Sequence, residues 1–267
     1  MDEPGALGVG EASSLTGSED ISEDSLLGGR VRLRQLRRGH RVGTDAILLA
    51  AAVQPGAGET VVDIGAGTGA VGLTVAVRAR ETTVVLVEND PVLLDLCRTN
   101  AGLNGMKERA RVVAADVLAP AEERRRAGLL PSSADWVATN PPYLNPARSR
   151  RSPDPRRAAA HALLAPDGLE RWLKTCADLL KPKGSLALIH RADALGACLA
   201  HLRRGFGGLR LRFVHPRQDA PAIRVVVTAV KGGRAPLAVA PPLVLHEPGG
   251  GFTPEAEALH RGETSLF

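Results

Sequence analysis

The stretch "TVVDIGAGTGAVGL", Thr60 to Leu73, decides the fold. Its first half, "TVVDIG", is a β-branched apolar run that reads as a buried strand, and from Ala70 the chain reads as a helix to Arg80. Between them Gly65, Gly67 and Gly69 take every second position of the turn. Glycine permits tight dihedrals there and lets the backbone approach a ligand closely. Strand, glycine turn and helix, in that order, open an α/β unit whose next strand should lie parallel to the first.

The pattern continues downstream. "TTVVLVE" (Thr82 to Glu88) is a second strand; Asp90 and Pro91 open a helix that runs to about Asn104, where Gly105 ends it. "RARVVAAD" gives a third strand ending at Asp116, "AEERRRAGLL" a charged connector, and "DWVAT" (Asp135 to Thr139) a fourth strand. Gly168 to Leu180 reads as a helix closed by "KPKG", and "SLALIH" as a fifth strand. The helical period then stops. "LRLRFVHP" and "IRVVVTAVKG" alternate as strands and predict an antiparallel pair, followed by a Pro- and Gly-rich end that wraps the surface. Upstream, "RVRLRQL" (Arg30 to Leu36) alternates basic and apolar residues as a half-buried strand, and "GTDAILLAAAV" predicts a short helix capped by Thr44. The expected class is α/β, Rossmann-like: a mostly parallel seven-stranded sheet, helices on both faces, and an antiparallel hairpin at the C-terminal edge.

Composition bounds the rest. The chain has 267 residues, 44% hydrophobic and 24% charged, values ordinary for a globular protein. Residues 1–28 are rich in Gly, Ser and acids without periodicity and read as a disordered acidic tail, leaving 29–267 as one domain. Seven of the 29 acidic residues lie in the first 29 positions, which hold no Lys or Arg, so the remainder is far more cationic than the overall +5. That balance suits a nucleic-acid partner. No apolar run is long enough to span a bilayer, and the acidic N-terminus is unlike a signal peptide. Cys97, Cys176 and Cys198 are odd in number, far apart and free of CxxC spacing, so they read as small, partly buried reduced thiols of a cytoplasmic protein, with no metal framework. His40, His161, His190, His215 and His246 are scattered and read as surface or structural residues.

Acidic residues stand at the ends of three successive strands: Asp63 just before the glycine turn, Glu88 and Asp116. A carboxylate where Glu88 stands can accept from both hydroxyls of a ribose. Gly65, Gly67 and Ala70 also satisfy the dinucleotide pattern, so NAD competes as cofactor. Asp63 speaks against a pyrophosphate, which it would repel, and for a cationic group. Together Asp63, the glycine turn, Glu88 and Asp116 resemble the S-adenosylmethionine site of class I methyltransferases.

After the fourth strand comes "NPPY", Asn140 to Tyr143, with the only Tyr of the chain. Two prolines fix two dihedrals and remove two donors. The tetrad resembles the signature of methyltransferases acting on a planar amide or amino nitrogen. That resemblance implies that the Asn140 side-chain carbonyl and the Pro141 backbone carbonyl accept from the two hydrogens of the target nitrogen, favouring its pyramidal, nucleophilic form, while Tyr143 stacks on the flat substrate. The tetrad does not separate adenine-N6 from glutamine-N5. Release-factor glutamine methyltransferases usually carry a helical domain before the catalytic one, and here only residues 1–29 precede the first expected strand.

The segment "GGRVRLRQLRRGHRVGTDAILLAAAV", with "SPDPRRAAAH" and "HPRQDAPAIRVVVTAVKGGRAPL", is similar to the bacterial family that methylates adenine-N6 next to the anticodon of a valine tRNA. The resemblance covers most of residues 29–260 and implies S-adenosylmethionine as cofactor, tRNA as partner and no membrane. It further implies a "GTD" turn, with Asp45, leading into a helix that closes over the cofactor. In "NPARSRRSPDPRR", Arg148, Arg150, Arg151 and Arg157 would line the mouth of the site and neutralise phosphates. The acidic tail and the scarcity of aromatics depart from that family.

Overall fold

The computed structural model describes residues 20–38, 41–142 and 167–267. Along the chain run β1 (Ile21–Leu26), β2 (Val31–Leu36), α1 (Thr44–Ala52), β3 (Thr60–Ile64), α2 (Ala70–Arg78), β4 (Thr83–Glu88), α3 (Pro91–Leu103) and β5 (Ala110–Ala114). Then follow α4 (Ala121–Arg126), β6 (Ala134–Thr139), α5 (Gly168–Leu179), β7 (Leu180–Arg191), α6 (Leu195–Leu202), β8 (Phe206–His215), β9 (Arg224–Lys231), β10 (Ala238–Val239), β11 (Leu243–Val244) and α7 (Pro254–Arg261).

The sheet order is β5-β4-β3-β6-β7-β9-β8, with β5 through β7 parallel and β9 antiparallel to both neighbours. These are the seven expected strands, the hairpin included. Two more, β10 and β11, each pair two residues with β8, so the sheet has nine. The strands are apolar on both faces because both are covered. Alternate residues divide between two cores: Val61, Leu86, Ala187, Ile189 and Val226 pack with α1, α2, α3 and α7, while Val62, Val87, Leu186, Leu188 and Val227 pack with α5 and α6.

Several expectations are corrected. The tail expected through residue 28 ends earlier, because Ile21–Leu26 form β1, antiparallel to β2. Its backbone pairing with β2, from Ile21 opposite Leu36 to Leu26 opposite Val31, holds it there, and its acids face the basic residues: Glu23 pairs with Arg32 and Arg34, and Asp24 with Arg41. Residues 1–19 lie outside the described residues. Thr44 does not cap α1; Gly43 is the cap position, without a side-chain bond, and Thr44 Oγ1 lies 3.3 Å from His260 Nε2. The charged connector holds α4. "KPKG" ends no helix from outside: it lies within β7, where Leu180 pairs with Ala134 but Ser185 already pairs with Trp136, so the four residues bulge from the strand. Lys183 takes φ +68° there, and Lys181 Nζ binds Asp135 at 2.8 Å. The Pro- and Gly-rich end does wrap, and it is tied in: buried Arg212 donates to Leu266 O at 2.7 Å, and Leu266 N to Ala51 O at 3.0 Å. All three cysteines are free and buried; burial pushes each thiol up, Cys198 to about 11. Among the described residues no helix is long and apolar enough to cross a membrane.

Candidate active site

The glycine turn adopts the dihedrals its sequence demands. Gly65, Gly67 and Gly69 have φ +73°, +58° and +87°, a region side chains rarely enter. The amides of Gly65 and Ala66 both donate to Val87 O, at 3.0 and 2.9 Å, fastening the turn to the end of β4. At Gly69 a Cβ would stand 3.0 Å from Cys97 Sγ, so a side chain there would crowd α3 as well as strain the backbone. A Cβ at Gly67 would meet nothing within 4 Å. The middle of the turn therefore presents bare backbone to open space, as close approach of a ligand requires.

The carboxylates surround this turn with distinct tasks. Glu88, 9% exposed, accepts from Gly67 N through one oxygen (2.9 Å) and from Asn89 N and Asp90 N through the other (2.8 and 3.0 Å). It thus shapes the glycine loop and ties it to the end of β4. Asp63, 2% exposed, accepts from Gly72 N at 2.9 Å under the first turns of α2. Burial raises its carboxyl to about 7, against the pull of the Gly72 bond and with a push from Glu88. Asp116 is exposed just past β5, and Leu118 N orients it at 2.8 Å. Asp45, in the first turn of α1, accepts from Arg224 Nε at 2.8 Å. Arg224 opens β9, so this ion pair ties α1 to the same edge of the sheet.

Asn140 follows β6, which pairs with β3 so that Thr139 lies opposite Ile64. Asn140 therefore emerges beside Gly65, half-buried, with Pro141 buried behind it. Thr139 Oγ1 donates to Ile64 O at 3.1 Å and accepts from Trp172 Nε1 at 2.8 Å. The Trp172 ring sits 3.1 Å from where a Gly65 Cβ would be. One indole from α5 thereby braces both the glycine turn and the strand that delivers Asn140. Asp63, Gly65, Gly67, Gly69, Glu88 and Asn140 are brought together; Asp116 and Asp45 flank them on neighbouring elements. Tyr143, Arg148, Arg150, Arg151 and Arg157 lie outside the described residues, as do His40 and His161.

Sequence reasoning missed three supports: Trp172, Arg224 and Asn100. Asn100 is wholly buried; its Nδ2 donates to Thr68 O at 2.9 Å and to Arg34 O at 3.0 Å, while its Oδ1 accepts from Arg34 N at 2.7 Å. Asn104, one helical turn on, repeats the pairing with Arg32, at 2.9 and 2.7 Å. The only sequence signal was two Asn four apart on the face of α3. His190, at the end of β7, accepts from Arg191 N at 2.9 Å, and burial lowers its pKa. Among the described residues no cluster of His, Cys, Asp or Glu is placed to hold a metal ion.

Known proteins match this arrangement. A family model described as "Methyltransferase small domain" matches residues 40–211. A tRNA1(Val) (adenine(37)-N6)-methyltransferase of Porphyromonas gingivalis is 34% identical over 161 residues, 58% of this chain and 60% of that protein. A release factor glutamine methyltransferase of Moorella thermoacetica is 32% identical over 162 residues, 59% of this chain and 54% of that protein. The chain thus spans about 60% of the length of several curated relatives it matches. Among solved structures, a predicted O-methyltransferase from Agrobacterium tumefaciens superposes with a TM-score of 0.70 at 33% identity, covering 83% of this chain and 97% of that one.

Proposed function

The chain belongs to the methyltransferase small domain family, and on that premise we propose that it transfers a methyl group from S-adenosylmethionine to the exocyclic N6 of an adenine in tRNA, in the anticodon loop. The observation that carries the reading is the Thr139–Ile64 junction, which sets Asn140 and Pro141 directly beside the bare glycine turn at the carboxyl edge of the sheet. Donor and acceptor sites of a group transfer must adjoin, and here a rigid strand pair fixes their separation.

The residues fit the cofactor. Gly67 leaves its backbone open to approach, Glu88 keeps acceptor capacity beside the turn after binding three amides, exposed Asp116 stands at the end of the next strand, and buried Asp63 acts on a cationic group through its charge rather than by contact. When bound, S-adenosylmethionine supplies an electrophilic methyl on a sulfonium. The chain's own work lies on the other side. An exocyclic amine conjugated to a purine is a weak nucleophile. Acceptance of its two hydrogens by the Asn140 amide oxygen and the Pro141 carbonyl favours the pyramidal nitrogen, an interaction that strengthens toward the transition state. No strong base is needed, since the proton leaves after transfer.

The tRNA half of the reading is supported by the names of several relatives at 30–34% identity and by the cationic remainder of the chain. The release-factor relative favours a second reading, glutamine-N5 transfer, through the same two acceptors. Incubation with labelled cofactor and bulk tRNA, duplex DNA or release factor, in parallel, separates them. Label in tRNA that maps to N6-methyladenosine is expected. Label in release factor alone overturns the tRNA reading. Asn140→Ala should abolish turnover while leaving cofactor affinity unchanged.

A further inference from the structure

The outer face of the β1–β2 ribbon carries an unusual arrangement of charge. β2 alternates strictly: Val31, Leu33 and Gln35 are buried, while Arg32 and Arg34 point outward. Across from them on β1 stands Glu23, in register with Arg34. Arg32 reaches one carboxylate oxygen of Glu23 at 2.8 Å through Nε and 2.5 Å through Nη2, and Arg34 Nε reaches the other at 3.4 Å. One anion with two divergent oxygens thus bridges two guanidinium groups. All three side chains stay substantially exposed, at 54%, 48% and 37%. The Arg32 hydrogen bond holds the Glu23 carboxyl below its usual range.

Asp24 differs. It accepts from Gln35 Nε2 at 2.8 Å and from Arg41, and Gln35 in turn receives Val42 N at 2.9 Å. That network builds the turn into α1 and is structural. Among the described residues Glu23 bonds only the two arginines.

The ribbon is also rigidly mounted. Asn100 and Asn104 pair with the backbone of Arg34 and Arg32 as a partner strand would, and Asn100 simultaneously holds Thr68 of the glycine turn. The backbone of the arginine row is therefore fixed relative to the glycine turn, and Arg37 and Arg38, just past the end of β2, are exposed.

We propose that the outer face of β2 is a docking surface for the RNA sugar-phosphate backbone, with Glu23 as a built-in counterion that holds Arg32 and Arg34 in a phosphate-binding pose and is exchanged for a phosphate when RNA docks. A carboxylate and a phosphodiester each carry one negative charge and offer two acceptor oxygens, and guanidinium forks bind both. Exposed ion pairs contribute little to stability, so the exchange costs little. The surface tunes affinity instead: RNA must displace Glu23, which keeps binding weak enough for release of the modified product. The inference rests on the tRNA reading above.

The test measures binding of unfractionated tRNA to the full chain across a series of salt concentrations. Glu23→Gln keeps the shape of the side chain and removes its charge. It should tighten tRNA binding about 3-fold or more at low salt and steepen the salt dependence by no more than roughly 0.7–0.9 in log K per log salt, since one charge is removed. Arg32→Gln with Arg34→Gln should weaken binding about 10-fold and flatten the slope, while cofactor affinity, measured alongside, stays constant and reports an intact fold. Unchanged affinity and slope in Glu23→Gln, or unchanged tRNA binding in the double arginine variant, overturns the inference while the tRNA reading survives. Absence of tRNA binding by the wild-type chain at every salt concentration overturns both.

Discussion

Asp63 offers the sharpest test of how the cofactor site is built. Its carboxyl is almost fully buried, accepts one backbone N–H from Gly72, and is raised by that burial from the ordinary 3.8 to about 7. A raised pKa means that the native state keeps a proton the unfolded chain has released. The native state is therefore favoured most below 3.8 and loses that advantage as pH climbs to about 7. At about 1.4 kcal/mol per pH unit, the whole interval corresponds to about 4 kcal/mol, of which roughly 2.5 kcal/mol falls between pH 5 and pH 8. Asp63→Asn removes the titration and keeps an oxygen for Gly72 N. The cofactor-free variant should then be more stable than wild type at pH 8 by a few kcal/mol, with the gap narrowing toward pH 5. Urea unfolding of both proteins across that range measures it, and titrating groups that do not interact with Asp63 cancel in the difference. Parallel stability curves would refute the reasoning, since a carboxylate that is already ionised without strain would gain nothing from the exchange. The same variant should bind the cofactor more weakly, which would make the buried charge a cost retained for binding.

The remaining predictions concern the supports of the turn. Glu88→Ala leaves the amides of Gly67, Asn89 and Asp90 without their acceptor and should weaken cofactor binding by about 1–3 kcal/mol, read by calorimetry. Gly69→Ala forces a Cβ toward Cys97 Sγ at a left-handed φ of +87° and should destabilise the chain by about 1–3 kcal/mol in denaturant unfolding. Trp172→Phe removes both the donor to Thr139 and the outer ring atoms against Gly65; stability should fall by about 1 kcal/mol or more, and single-turnover transfer should slow beyond what cofactor affinity explains.

What could be read in advance, and what could not, divides along a physical line. Local patterns were legible: the glycine turn, the Asp90–Pro91 helix start, where Asp90 accepts from Val92 N and Leu93 N, and the alternation of β2. Strand β1 was not, because "ISEDSL" has no apolar period of its own and becomes a strand only against the arginines of β2. Trp172 and Asn100 escaped for a related reason, as each satisfies partners more than 30 residues away in sequence. The order of the last two strands lay between these cases. β9 reads "RVVVTAVK" and is buried over five consecutive positions, Val225 to Ala229, while β8 interleaves Arg210 and Arg212 with its apolar residues. A continuous apolar run belongs inside a sheet and an interrupted one nearer its edge, so β9 between β7 and β8 follows from composition once both strands are granted.

The place of the site follows from the same strand order. From β3 the chain builds outward through β4 to β5, then returns to lay β6 and β7 on the other flank of β3. The connections leaving β3 and β6 therefore diverge to opposite faces, opening a crevice at the carboxyl edge between those two strands. The residues bordering that crevice are the first beyond each strand: Gly65 after β3 and Asn140 after β6. A glycine turn on one side and an amide on the other are neighbours because the winding reverses between them, and Thr139 and Trp172 need only hold that reversal tight. The spacing of turn and amide is thus set by a strand pair and one indole, which is why Trp172→Phe should slow the proposed transfer beyond any loss of cofactor affinity.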